Sequence, residues 1–220
     1  MIGHRLWACT SLFFKLMRVW GQLLYGAWKV SSLPQPIVSI FGGSRLPQDN
    51  VYATQAVQIG RWLIEHDISV LTGGGRGIME AVSYGALHNN GGKGRSMGIG
   101  VKDLGENVRN PYVKEYFMLD YFFARKWLLT RYSVAFIVFP GGFGTLDELS
   151  EVLTLILTGK MKRVPIVLIG EEYWRPFMQW VTQEALKHGA VAQEHIKLFT
   201  LTDDLYQAFC LVRDECKMPK

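Results

Sequence analysis

The chain has 220 residues, 49% of them apolar and 20% charged, with 23 glycines; that suits one domain of ordinary size with a sizeable core. Composition excludes a disordered chain, a collagen-like repeat and a disulfide scaffold, and Cys9, Cys210 and Cys216 form no CxxC pair, which points to free thiols in a reducing, cytoplasmic setting with no metal site on them. The net charge of +5 belongs to one end: residues 1–48 contain Arg5, Lys15, Arg18, Lys29 and Arg45 and no acid, while the rest is balanced, so no body-wide basic surface for nucleic acid is implied.

The first predicted element covers residues 5–30. Leu6, Phe13, Trp20 and Ala27 recur every seven residues, with Trp7, Phe14, Leu24 and Trp28 beside them. Ser11, Lys15, Arg18, Gln22 and Lys29 fall on another face, which predicts an amphipathic helix, broken near Gly21 or Gly26. Lys15 and Arg18 interrupt the apolar run that a signal peptide or a spanning helix needs. Two readings stay open for this arm. One is packing on its own domain or on a second subunit, the commoner use of such helices; the other is contact with an anionic membrane surface. Residues 31–36, SSLPQP, read as a linker, dividing an arm of residues 1–35 from a body of residues 36–220.

The body alternates apolar runs with helical stripes. Predicted strands cover Ile37–Phe41, Ile68–Leu71, Met97–Val101, Phe117–Leu119, Ala135–Phe139, Val164–Ile169 and Lys197–Leu201. Predicted helices cover residues 51–66, 77–88, 121–132, 145–158, 174–187 and 203–215, with Asp203 as cap of the last. Buried strands alternating with helices specify an α/β fold, a Rossmann-like doubly wound parallel sheet with helices on both faces. Ligands in such sheets bind beyond the carboxyl ends of the strands.

Two of those ends carry glycine clusters, TGGGRGIMEA at residues 72–81 and PGGFGTLDE at residues 140–148. Glycines allow tight turns that expose backbone N–H groups, and a helix N-terminus adds partial positive charge, a combination suited to phosphate. Neither loop is the dinucleotide fingerprint GxGxxG, and no GxxxxGK[ST] is present. Glu80 and Glu148 follow the two loops closely. A carboxylate there suits a ribose or a developing cation better than the phosphate itself, although one such acid alone reads as a helix-dipole charge. Arg125 and Lys126, in DYFFARKWLL, read from spacing alone as solvated charges on an amphipathic helix; an arginine there also has the geometry to bind phosphate.

From about Val38 to Asp204 the chain resembles the LONELY GUY family of cytokinin riboside 5′-monophosphate phosphoribohydrolases, often labelled lysine decarboxylases. It is similar above all to the bacterial branch that includes nucleotide 5′-monophosphate nucleosidases. PGGFGTLDE fits the family's PGGxGTxxE signature, GGGRGIMEA its glycine loop, and FFARK its RK motif. The resemblance implies that Gly141, Gly142, Gly144 and Thr145 hold the 5′-phosphate, with Glu148 as catalytic carboxylate and Arg125 as its partner. It also implies that Gly42, Gly43, Ser44 and Arg45 form a loop under the nucleotide. Gly74, Gly75, Glu80, Asn110 and Lys126 would complete the substrate-binding set. Arg76 stands where relatives often have Pro, and Leu157 where they commonly carry Gln. The implied reaction is hydrolysis of a nucleoside 5′-monophosphate to free base and ribose 5-phosphate, without cofactor or metal, by a homodimer or larger assembly. A nucleotide- or cofactor-binding carrier of the same fold is the alternative. The decarboxylase label finds no signature of a pyridoxal phosphate domain in the chain.

Overall fold

A computed structural model of the protein describes residues 2–102 and 109–217. The elements in chain order are α1 (Ile2–Ser31), β1 (Ile37–Phe41), α2 (Val51–Glu65), β2 (Ser69–Thr72), α3 (Ile78–Leu87), β3 (Ser96–Val101) and β4 (Glu115–Leu119). They continue with α4 (Phe122–Arg131), β5 (Ala135–Val138), α5 (Phe143–Leu157), β6 (Ile166–Ile169), α6 (Glu171–Gln179), β7 (Thr200–Thr202) and α7 (Leu205–Lys217).

The strands form one seven-stranded sheet in the order β4-β3-β2-β1-β5-β6-β7, every pairing parallel. Residues of β1, β2, β5 and β6 are buried throughout, as expected for strands covered on both faces. One apolar layer joins Ile59, Leu63, Val82 and Phe209, from α2, α3 and α7, to the sheet; the other joins Leu128, Leu129, Leu149, Val152 and Trp174, from α4, α5 and α6. The chain is thus a doubly wound α/β sandwich. Strand order reverses between β1 and β5, so the loops after β1, β2 and β5 emerge side by side at the switch point.

Four local readings need correction. The first helix is continuous through Gly21 and Gly26. Gly26 is needed for packing: a Cβ there would lie 2.5 Å from Leu128 Cδ1. The face toward the body is Val19, Leu23, Gly26, Ala27 and Val30, so Ala27 of the seven-residue repeat packs, while Phe13 and Trp20 are exposed and the Leu6 side chain lies outside the described ones. Near the C-terminus, Asp204 rather than Asp203 caps α7, its Oδ1 accepting from the Tyr206 and Gln207 N–H groups at 2.9 and 3.0 Å. Asp203 instead accepts from Glu171 N–H at 2.8 Å, which starts α6 three residues earlier than periodicity predicts. That helix passes into a π-helix at Trp180–Ala185. Finally, β7 is only Thr200–Thr202, because residues 195–198 close into a 3₁₀ turn before pairing with β6 begins.

Helices α2 and α3 meet backbone to backbone. A Cβ on Gly60 would lie 2.3 Å from Val82 O, and one on Gly85 would lie 1.9 Å from Val57 O. Gly85→Ala should therefore destabilise the protein by about 1–3 kcal/mol. Gly21→Ala, on an open helix surface with nothing within 4 Å, should stabilise it by about 0.5–1 kcal/mol. Urea unfolding of the two variants checks both signs.

Candidate active site

The three loops at the switch point are joined through a single residue, Gly43. Gly43 N–H donates to Pro140 O at 2.9 Å, and Gly43 O accepts from Ile78 N–H, in the first turn of α3, at 3.1 Å. Small residues are required on both sides. A Cβ on Gly42 would lie 2.6 Å from Ile78 Cγ2, and Gly77 has φ 65° with Gly43 O only 2.2 Å from where a Cβ would stand. Gln48 Nε2 adds a bond to Gly77 O at 3.1 Å. Ser44, Arg45 and Arg76 lie exposed on these joined loops.

The loop after β2 is braced from behind. Asn110 is fully buried, and its amide is completely engaged: Nδ2 donates to Gly75 O and Ser83 Oγ, while Oδ1 accepts from the Tyr112 and Val113 N–H groups. Asn110 N–H donates to Gly74 O at 3.2 Å. The residue therefore braces the loop after β2 from within, fixing Gly74 and Gly75, with its amide bonds all made inside the protein. Glu80 is half-buried in the first turn of α3.

The loop after β5 leads into α5. Its first-turn N–H groups lack partners within the helix. The side they face is open: a Cβ on Gly142 or Gly144 would meet nothing within 4 Å, and Phe143 between them is 92% exposed. Gly141, by contrast, is tightly enclosed, since a Cβ there would lie 2.1 Å from Oγ1 of the buried Thr145. Tyr173 Oη donates to Gly141 O at 2.5 Å and holds the loop from the α6 side. Sequence reasoning missed Tyr173, because nothing in the spacing connects it to a loop thirty-two residues away.

Arg125 and Lys126 both reach across to α5. Arg125 Nη2 bonds to Glu148 Oε1 at 3.2 Å, with side chains only 13% and 12% exposed. Lys126 Nζ pairs with Asp147 at 3.1 Å and with Glu151 at 2.8 Å, partners that the sequence pattern did not single out. Arg125 also lies beside the loop after β2, where a Cβ on Gly73 would be 3.5 Å from its Nη1. Its guanidinium thus bridges the two glycine loops, and the solvated-charge reading of Arg125 is overturned. Burial pushes the Glu148 carboxyl up from 4.5 to about 7, opposed chiefly by the charge of Arg125. Leu157 ends α5, about 20 Å along the helix from Gly144, so its replacement of a polar residue does not touch the loop in the same chain.

A parallel Rossmann-like sheet with a glycine loop at its switch point and a buried Arg–Glu pair beside it defines the class: a doubly wound α/β protein. The sequence profile described as "Possible lysine decarboxylase" matches residues 79–211. The cytokinin riboside 5′-monophosphate phosphoribohydrolase LOG of Oryza sativa subsp. japonica is 31% identical over 159 residues, covering 71% of this chain and 64% of that protein. The chain thus spans less than two thirds of that relative's length. A probable phosphoribohydrolase of the same organism, LOGL5, is 39% identical over 186 residues, covering 83% of this chain and 73% of that protein. The chain belongs to the LONELY GUY (LOG) family. Among solved structures, the molybdenum cofactor binding protein of Rippkaea orientalis superposes with a TM-score of 0.60 at 20% identity, covering 83% of this chain and 98% of that one, a likeness of fold.

The raised Glu148 carboxyl links stability to pH. The unfolded chain ionises this group near 4.5 and the folded protein near 7, so between those values the folded state holds the extra proton. Its contribution is fully present below pH 4.5 and is lost as pH rises through about 7, a change of at most about 3 kcal/mol. Urea midpoints at pH 5 and pH 8 should fall more in the wild type than in Glu148→Gln, which has no carboxyl to titrate.

Proposed function

We propose that the protein hydrolyses the N-glycosidic bond of a nucleoside 5′-monophosphate, AMP or a cytokinin nucleotide, to the free base and ribose 5-phosphate. The observation that carries this reading is the Arg125–Glu148 pair, buried between two glycine loops at the head of α5. The N–H groups of α5 and the hydroxyl of Thr145 form the seat for the 5′-phosphate. Gly74 and Gly75, held by Asn110, form the neighbouring wall, with Glu80 on the ribose or base side and Gly42, Gly43 and Ser44 beneath.

Phosphate binding away from the reacting bond fixes the ribose relative to Glu148. As C1′–N cleavage begins, positive charge develops on the ribose, as in glycoside hydrolysis. The Glu148 carboxylate stabilises that charge and takes a proton from the attacking water. Water oxygen bonds to C1′, the C1′–N pair leaves with the base, and the base gains a proton. Arg125 favours the ionised form of Glu148 against burial and lies close enough to the glycine loops to assist the departing base or the phosphate. The names and 31–39% identity of the plant relatives support the reaction class. Exposed Phe122, Phe123, Trp127 and Phe143 around the pair support assembly as a homodimer or larger homo-oligomer.

Purified protein incubated with AMP, CMP, GMP, UMP and prenylated AMP should release base from at least one, followed by chromatography. Glu148→Gln should lower turnover by about 10²-fold or more while retaining nucleotide binding. Nucleotide binding without any base release would assign the protein to the carrier alternative. Because the carboxylate is the working form, kcat/KM should rise with pH through about 7. Gly144→Val places a branched side chain in the open face of the loop and should weaken nucleotide binding about tenfold, or about 1.4 kcal/mol, measured by calorimetry.

A further inference from the structure

Helix α1 is pinned at both edges of the sheet. At one edge Arg95 donates to the carbonyl of Ser32, just after the helix. At the other, Arg18 Nε pairs with Asp120 at 2.7 Å, Gln22 accepts from Asp120 N–H, and Lys102 shares the same carboxylate. Asp120 directly follows β4, so Arg18 marks the carboxyl edge, where the glycine loops lie. Residues 2–17 continue about 24 Å past that point. Leu12 and Leu16 lie on the same stripe as the docked Val19 and Leu23 and yet are exposed, which shows that the body no longer lies beneath the helix there.

The outward face is apolar from Phe13 to Trp28. Phe13, Phe14, Met17, Trp20, Leu24 and Trp28 are each at least 55% exposed and fall within one sector of the helix. Lys15 and Lys29 form its border on one side, with Arg18 between them already paired to Asp120, and the helix contains no acid. No described helix is long and apolar enough to cross a membrane.

We infer that α1 is an interfacial helix that lays its exposed aromatic face on an anionic phospholipid surface. Aromatic and aliphatic side chains on one face with lysine and arginine at the border are the chemistry that inserts among acyl chains and pairs with lipid phosphates. Charge complementarity favours lipid over a second copy of this helix. Two such faces paired about a twofold axis bring basic borders together with no acid on either helix to neutralise them.

Flotation of the full chain with vesicles tests this. Vesicles of phosphatidylcholine with one third phosphatidylglycerol should carry about tenfold more protein than phosphatidylcholine alone, and raised salt should diminish the difference. The double variant Phe13→Glu/Trp20→Glu should lose flotation while keeping the wild-type melting temperature, since both side chains are exposed. Lys15→Glu should reduce binding to the anionic vesicles only. Absence of wild-type flotation with anionic vesicles, or equal flotation of the double variant, would overturn the inference. If the wild type binds no vesicle and the double variant dissociates an oligomer on light scattering, the face belongs to a second copy instead. Base release is read separately and bears only on the proposed reaction.

Discussion

A carboxylate enclosed at the head of a parallel sheet must either take up a proton or find a counter-charge. Glu148 is held between these outcomes by Arg125, 3.2 Å away. Burial favours the neutral acid and the guanidinium favours the anion, and the balance leaves the group titrating at about 7. That balance needs both residues in position at once, so it depends on α4 and α5 lying side by side on the same layer of the sandwich. Lys126, bonded to Asp147 and Glu151, reinforces this alignment one residue further on.

The pair sits beside the glycine loops. Their arrangement follows from strand order: β1 has β2 on one side and β5 on the other, so the loops after all three share one edge. Gly43, bonded to Pro140 on one side and Ile78 on the other, keeps them in register. Enclosed glycines at 42, 77 and 141 allow backbone to approach backbone, whereas Gly142 and Gly144 face open space. The same residue type thus does two jobs within a few positions, packing the frame and leaving room for a ligand.

The first helix stands apart from this logic. Its inner stripe completes the apolar layer over α4, with Gly26 allowing contact near Leu128 and Phe117. Its outer face adds nothing to the core. Ion pairs and hydrogen bonds hold it at both ends of the strands, through Arg95 and Ser32 at one end and Arg18, Gln22 and Asp120 at the other.

Much of this was legible in the chain. The order of apolar runs and helical stripes determined an α/β parallel sheet, because strands buried on both faces lose alternation and need crossover helices. PGGFGTLDE, GGGRGIMEA and FFARK pointed to the family. Tertiary structure alone decided which of these meet. Arg125 and Glu148 are twenty-three residues apart and become partners only when α4 packs on α5. Asn110 proved to be a brace because all of its amide bonds are made within the protein. Tyr173 reached the glycine loop after β5 from another crossover. Periodicity located the amphipathic arm but not the face that docks, since a helix apolar on two sides offers both to the core. Shape decided between them: the face with Gly26 fits closely against α4, and the aromatic face does not.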